Sequence, residues 1–101
     1  MRLSPQDADA IRSAARSCFG PTARVWLFGS RADDRRSGGD IDLLVDCDLN
    51  GWDSVLAAER RFLAELERTI GERRVHVVID FVGRESRPPI LSVARQTGLP
   101  L

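Results

Sequence analysis

The spacing of hydrophobic residues predicts three helices and three strands along the chain. Helical segments show apolar residues at intervals of three and four, and strands appear as short runs rich in β-branched residues. The predicted helices are one of about 13 residues from Pro5, a long one closed by Gly71, and one over 89–96. The predicted strands cover 24–28, 40–46 and 75–82. The order helix, strand, strand, helix, strand, helix predicts a small α/β domain with helices packed on a three-stranded sheet.

The first helix has clear start and stop signals. Ser4 is a favourable N-cap, Pro5 suits the first helical position, and Asp7 meets the positive end of the helix dipole. Gly20 and Pro21 then end the helix. We expect this helix to pack on the sheet and to carry no chemistry of its own.

The second strand begins with two carboxylates. Side chains alternate along a strand, so Asp40, Asp42 and Asp46 share one face, while Ile41, Leu43 and Val45 share the other. Asp40 and Asp42 stand about 6.6 Å apart at the backbone, which lets both bind one divalent ion or a pair of ions. Asp46 lies about 13 Å beyond Asp42, and this distance excludes it from the same metal.

A polar corner precedes this strand and supplies complementary chemistry. The first strand stops at Gly29 and Ser30, where the absence of a side chain on Gly29 lets a phosphate approach the backbone and Ser30 offers a hydroxyl. Mg²⁺ usually takes one or two carboxylates together with substrate phosphates. The corner and the two acids therefore indicate a metal-nucleotide site. Arg31 follows directly and suits either a phosphate or an ion pair with Asp33 or Asp34.

Composition narrows the function classes. The chain has 101 residues, which predicts one domain over 1–101, and its 15 positive and 15 negative residues give no support for general nucleic-acid binding. Cys18 and Cys47 lie in apolar surroundings without the spacing of a zinc site. No apolar stretch approaches the roughly 20 residues of a membrane span, and we expect a soluble, cytoplasmic protein.

The combined pattern resembles the signature of the DNA polymerase β-like nucleotidyltransferase superfamily. The residues that carry the resemblance are Gly29-Ser30, Arg31-Ala32, Gly38-Gly39 and Asp40-Ile41-Asp42-Leu43. The nearest group is the minimal nucleotidyltransferases, often encoded beside a HEPN-domain partner. The resemblance implies a small mixed β-sheet flanked by helices. It also implies that Asp40 and Asp42 ligate Mg²⁺, that Asp80 on the next strand completes the site, and that Gly29, Ser30 and Arg31 contact the nucleotide.

The resemblance also implies a function. The expected activity is Mg²⁺-dependent transfer of a nucleoside monophosphate, AMP from ATP, to a hydroxyl on a partner protein, with two metal ions. The expected partner is a HEPN-type toxin, with this chain as its antitoxin. Two alternatives stay open: an antitoxin that acts by direct contact without catalysis, and a transferase for a small-molecule acceptor.

Three further side chains have plainer interpretations. His76 lies far along the strand from Asp80 and is interpreted as a half-buried structural imidazole. Trp26 and Trp52 are interpreted as core or interface aromatics rather than a platform for a nucleobase.

Overall fold

A computed structural model describes residues 3–29 and 40–101 of the chain. Its elements are α1 Pro5–Phe19, β1 Arg24–Phe28, β2 Ile41–Cys47, α2 Trp52–Ile70, β3 Val75–Phe81, α3 Pro89–Thr97 and β4 Leu99–Pro100. All six predicted elements are present in the predicted order. The N-cap of α1 is also as predicted, because the Ser4 hydroxyl accepts a hydrogen bond of 3.0 Å from the Asp7 N–H.

The sheet is mixed and has the strand order β3-β2-β1-β4. β1 pairs antiparallel with β2, and β2 pairs parallel with β3. The short strand β4 was not predicted. It contains Leu99 and Pro100, which pair with Leu27 and Trp26, and the Leu101 N–H donates to the Val25 carbonyl at 2.9 Å. Two residues that include a proline show no alternation, so only the backbone pairing defines this strand.

The two faces of the sheet are covered differently. Ile41, Leu43 and Val45 of β2 are fully buried on the face covered by α1 and α2, in the main hydrophobic core. On the opposite face, Leu44 packs in a smaller cluster with Leu91 and Ala94 of α3. We call this opposite side the α3 face. The predicted alternation of β2 is therefore confirmed, with both faces covered at Leu44.

Strand register divides the α3 face into three rows. The rows are Phe28, Asp42, His76; then Trp26, Leu44, Val78; then Arg24, Asp46, Asp80. α3 crosses the second row through its contacts with Leu44 and reaches the third row through Arg95, which lies 3.2 Å from Asp46. The first row lies beyond these contacts, at the end of the face where β2 and β3 begin.

Among the described ranges, no helix is long and apolar enough to cross a membrane.

Candidate functional site

Asp40 and Asp42 lie at the amino-terminal end of β2, in the part of the α3 face that contains the first row. Asp40 immediately precedes β2, and Asp42 pairs with Phe28 on one side and with His76 on the other. Both acids are half-buried, so they remain open to a ligand from solvent. The structure thus brings the two predicted carboxylates to the same end of the same strand.

Gly29 packs directly against the Asp42 carboxylate. Its φ is +75°, a left-handed conformation that side chains other than glycine adopt at a cost. A Cβ on Gly29 would overlap Asp42 Oδ2 and would lie 3.2 Å from Asp42 Cγ. Glycine is therefore needed here both for the turn and for the close approach of the backbone to the acid. Gly29 of the predicted corner and Asp42 of the predicted acid pair are therefore neighbours in space.

Burial raises the pKa of Asp42, and the negative charge of Asp40 raises it further, whereas His76 lowers it. His76 Nε2 lies 3.4 Å from Asp40 Oδ2, so the imidazole is beside both acids. Desolvation disfavours the ionised form of Asp42 when no cation is present. A bound cation would reverse this effect by favouring the carboxylate, which makes the pair a suitable place for positive charge.

Asp80 does not join this pair, and the prediction that it completes the site is wrong on strand register. Asp80 pairs with Asp46, whereas Asp42 pairs with His76. Because β2 and β3 are parallel, Asp80 lies about 13 Å along the sheet from Asp42. Asp80 therefore cannot share a metal ion with Asp40 and Asp42, for the same reason that excluded Asp46.

Asp80 instead holds together a cluster of two acids and two arginines at the other end of the face. Its side chain is only 8% exposed and accepts a hydrogen bond of 3.0 Å from Arg87 Nε, while Arg95 Nη2 lies 3.3 Å away. The same Arg95 nitrogen is 3.2 Å from Asp46. The Arg95 guanidinium also lies 5.3 Å from the ring centre of Trp26. These contacts fasten α3 and the preceding loop to the sheet, so Asp80 has a structural role.

His76 is the side chain of β3 that lies beside the acid pair, and the sequence interpretation of it as a structural imidazole missed this position. A signal for it was available. Two strands joined through a long helix usually run parallel, so their first residues lie at the same edge of the sheet. A residue near the start of the third strand is then expected beside Asp42, and that residue is His76.

The described residues that could hold a metal ion are two carboxylates, those of Asp40 and Asp42. Within the described ranges, no group of three or more His, Cys, Asp or Glu side chains is arranged to hold a metal. Asp40 and Asp42 offer two oxygen ligands, which suits Mg²⁺ bound together with phosphates and water. The predicted nucleotide contacts Ser30 and Arg31 lie outside the described residues.

No protein-family model matches the chain, and no curated protein matches it significantly. The resemblance to minimal nucleotidyltransferases therefore rests on the motif residues and on the fold, which is a small mixed sheet flanked by helices.

Proposed function

We propose that this protein binds Mg²⁺-ATP and transfers AMP to a hydroxyl group of a partner protein. The observation that carries the proposal is the close packing of Gly29 against Asp42, with Asp40 beside it, at the end of the α3 face where β2 begins. This arrangement joins a backbone corner suited to phosphate with a pair of carboxylates suited to Mg²⁺. The motif resemblance points to the same chemistry.

In this proposal Asp40 and Asp42 hold the metal ion, and the corner at Gly29 and Ser30 binds the phosphates. Bound Mg²⁺ supplies charge neutralisation on the phosphate oxygens. The acceptor oxygen attacks the α-phosphorus, the bond from that phosphorus to the bridging oxygen breaks, and pyrophosphate leaves with the bonding electrons. His76 is the described side chain beside the acids that can accept the hydroxyl proton, because neutral imidazole has a free nitrogen lone pair.

The acceptor class follows from the small size of the domain and from the resemblance. Phosphoryl-type transfer needs positioning and charge neutralisation more than covalent chemistry, so a small scaffold can support it. A hydroxyl delivered by another protein suits two carboxylates that are only half-buried at the end of a sheet. By resemblance, the partner is a HEPN-domain toxin encoded nearby, and this chain is its antitoxin in the cytoplasm.

A second function is favoured by one observation. The position of β3 beside Asp42 is occupied by His76 rather than by a third acid, so the described site offers two carboxylates. Two carboxylates are enough to bind a metal-nucleotide complex, whereas two-metal catalysis normally uses more. The second candidate is therefore a nucleotide-responsive binding module that neutralises its partner by contact.

Labelling of the partner separates the two functions. The protein is incubated with Mg²⁺, α-labelled ATP and the product of the neighbouring gene, in parallel with Asp42→Asn and with the matched control Asp46→Asn. Asp46 is a carboxylate on the same strand and face but about 13 Å from Asp42. We expect label on the partner with wild type and with Asp46→Asn, and none with Asp42→Asn. Neutralisation of the partner without label, by wild type and Asp46→Asn but weakened in Asp42→Asn, would support the nucleotide-responsive binding module instead.

A further inference from the structure

β3 forms an open edge of the sheet. The Ile41 N–H donates to the Arg74 carbonyl at 2.9 Å, so Arg74 and every second residue after it direct their backbone groups toward β2. The backbone groups of the alternate residues point outward: Val75, Val77, Ile79 and Phe81. Arginines from the following loop cover two of the outward carbonyls, since Arg84 donates to Ile79 at 2.5 Å and Arg87 donates to Phe81 at 3.0 Å.

The amino-terminal half of this edge is uncovered in the part of the chain that the structure describes. There, no hydrogen-bond partner reaches the outward N–H and C=O groups of Val75 and Val77. β3 also contains no lysine, proline or glycine, the residues that commonly protect an edge strand from pairing. An unprotected edge of β-branched residues is suited to pairing with another strand.

Two cavities lie along this edge of β3. One of about 190 Å³ is bordered by Val77 and Ile79, with Trp52 on one side and Ile90 on the other. Trp52 and Ile90 are 49% and 39% exposed, which is high for large apolar residues. The other cavity, of about 440 Å³, lies toward the start of β3 and is lined by Leu63, Glu67, Glu72 and Val75, among others.

We propose that β3 pairs antiparallel with β3 of a second copy of this chain, about a two-fold axis at Val77. In this register the two Val77 residues exchange both backbone hydrogen bonds, and Val75 of each copy pairs with Ile79 of the other. The Ile79 carbonyl has a second lone pair, so it can accept the new bond and keep the one from Arg84. The paired edges then form one continuous eight-stranded sheet, twice the four strands of each chain.

The surfaces on either side of the edge complement each other in this register. Trp52 packs at 5.0 Å, centre to centre, against Phe81, which is four residues beyond Val77. The two-fold axis at Val77 places Phe81 of one copy opposite Arg73 of the other, and Arg73 borders the larger of the two cavities. The indole of each copy thus faces a cavity of the other. Arg84, stacked 5.0 Å from the Trp52 ring, then faces Glu67 and Glu72 of that cavity. Arg73 and Arg74 line the same cavity, and the Arg73 charge is already paired with Asp7 at 2.7 Å.

This pairing also fixes the relation between the two candidate sites. Side chains at paired positions of antiparallel strands point to the same face, so the two α3 faces lie on one side of the combined sheet. Asp42 of each copy is one strand in from the shared edge, and the two β2 strands are three spacings apart, about 14 Å. The inference does not depend on the proposed enzymatic function.

Molar mass in solution tests the proposal, with sedimentation equilibrium of wild type, Trp52→Glu and the control Val93→Glu. Trp52 and Val93 are both 49% exposed, but Val93 lies on α3 outside the proposed interface. We expect a wild-type dimer that dissociates on dilution, a dissociation constant raised at least about tenfold in Trp52→Glu, and no change in Val93→Glu. A wild type that stays monomeric at several hundred micromolar overturns the proposal, as does a dimer that only Val93→Glu weakens.

Hydrogen exchange of individual amides tests the register. The amides of Val75 and Val77 should exchange more slowly at concentrations above the dissociation constant than below it. The Val78 amide, which already faces β2, serves as an internal reference and should change much less. A dimer in which the Val75 and Val77 amides keep the same exchange rate at all concentrations uses another surface and overturns the proposal.

Discussion

Asp80 has a structural role and Asp42 belongs to the candidate site, so replacing each of them by asparagine should have opposite effects on stability and on the response to ATP. Asp80→Asn removes a charge that receives one hydrogen bond at 3.0 Å and a second contact at 3.3 Å from two arginines. Hydrogen bonds to charged groups contribute about 1.5–3 kcal/mol, and breaking a fully buried ion pair costs about 3–5 kcal/mol. The arginines are 48% and 39% exposed and regain water, so we expect the lower end, about 2 kcal/mol.

A loss of about 2 kcal/mol corresponds to a fall in Tm of about 10 °C for a domain of this size. Urea unfolding followed by circular dichroism gives the free energy, and a thermal scan with and without Mg²⁺-ATP gives the ligand-induced shift. Asp80→Asn should lose stability but keep the same ATP-induced rise in Tm as wild type, because a ligand of the folded state stabilises it by mass action. An Asp80→Asn protein with wild-type stability and no ATP response would place Asp80 in the site and refute the register argument.

Asp42→Asn should behave in the reverse way. Burial and the charge of Asp40 disfavour the ionised Asp42 side chain in the folded protein, so its replacement by a neutral amide removes an unfavourable charge. We expect the free energy of unfolding at pH 7 to equal or exceed that of wild type, whereas the ATP-induced rise in Tm should disappear. A large loss of stability with a retained ATP response would contradict this assignment.

Three further predictions follow from the same geometry. Because the pKa of Asp42 is raised, the folded state binds more protons than the unfolded state between the ordinary value of 3.8 and the raised pKa. The stability of wild type relative to Asp42→Asn should therefore fall as pH rises between these two values and stay constant above them. Urea unfolding from pH 3.5 to 7 measures this difference. Gly29→Ala should lower the free energy of unfolding by about 1–3 kcal/mol and weaken the ATP-induced rise in Tm. Gly51→Ala is the control, because Gly51 has a φ of +87° but no atom lies within 4 Å of the added Cβ. It should lose less stability and keep the ATP-induced rise in Tm. His76→Asp should tighten Mg²⁺ binding in titrations followed by thermal shift, since a third carboxylate beside Asp42 adds an oxygen ligand; unchanged or weaker binding would show that position 76 does not reach the ion.

The elements that depend on local patterns were predictable from sequence. The cap at Ser4 depends on contacts within one helical turn, and the burial of alternate residues in β2 depends only on the pleat of a strand. Gly29 and the acid pair were identified for the same reason, because a corner and the strand that follows it are close in sequence. The structure adds that Gly29 touches the Asp42 carboxylate itself, which the sequence alone did not indicate.

The features that sequence reasoning missed depend on pairing between distant segments. β4 exists because the backbone at Leu99 and Pro100 meets β1, and nothing in the composition of that tail distinguishes a strand from a coil. The role of Asp80 depends on which residue of β2 it faces and on Arg95, which arrives from α3. A buried acid at the end of a strand has the same local sequence whether it binds a metal or an arginine.

The direction of β3 decides what the site can contain. α2 has 19 residues and spans about 28 Å, enough to return the chain from the end of the seven-residue strand β2 to its beginning. β3 therefore starts at the edge where β2 starts, and its early residues, not its late ones, lie beside Asp40 and Asp42. With His76 in that position, the described site combines two carboxylates and an imidazole, while the carboxylate of Asp80 holds α3 and the loop before it on the sheet. Between the two proposed functions, catalysis and nucleotide-dependent binding, the choice thus depends on the chemistry of His76 near the start of β3.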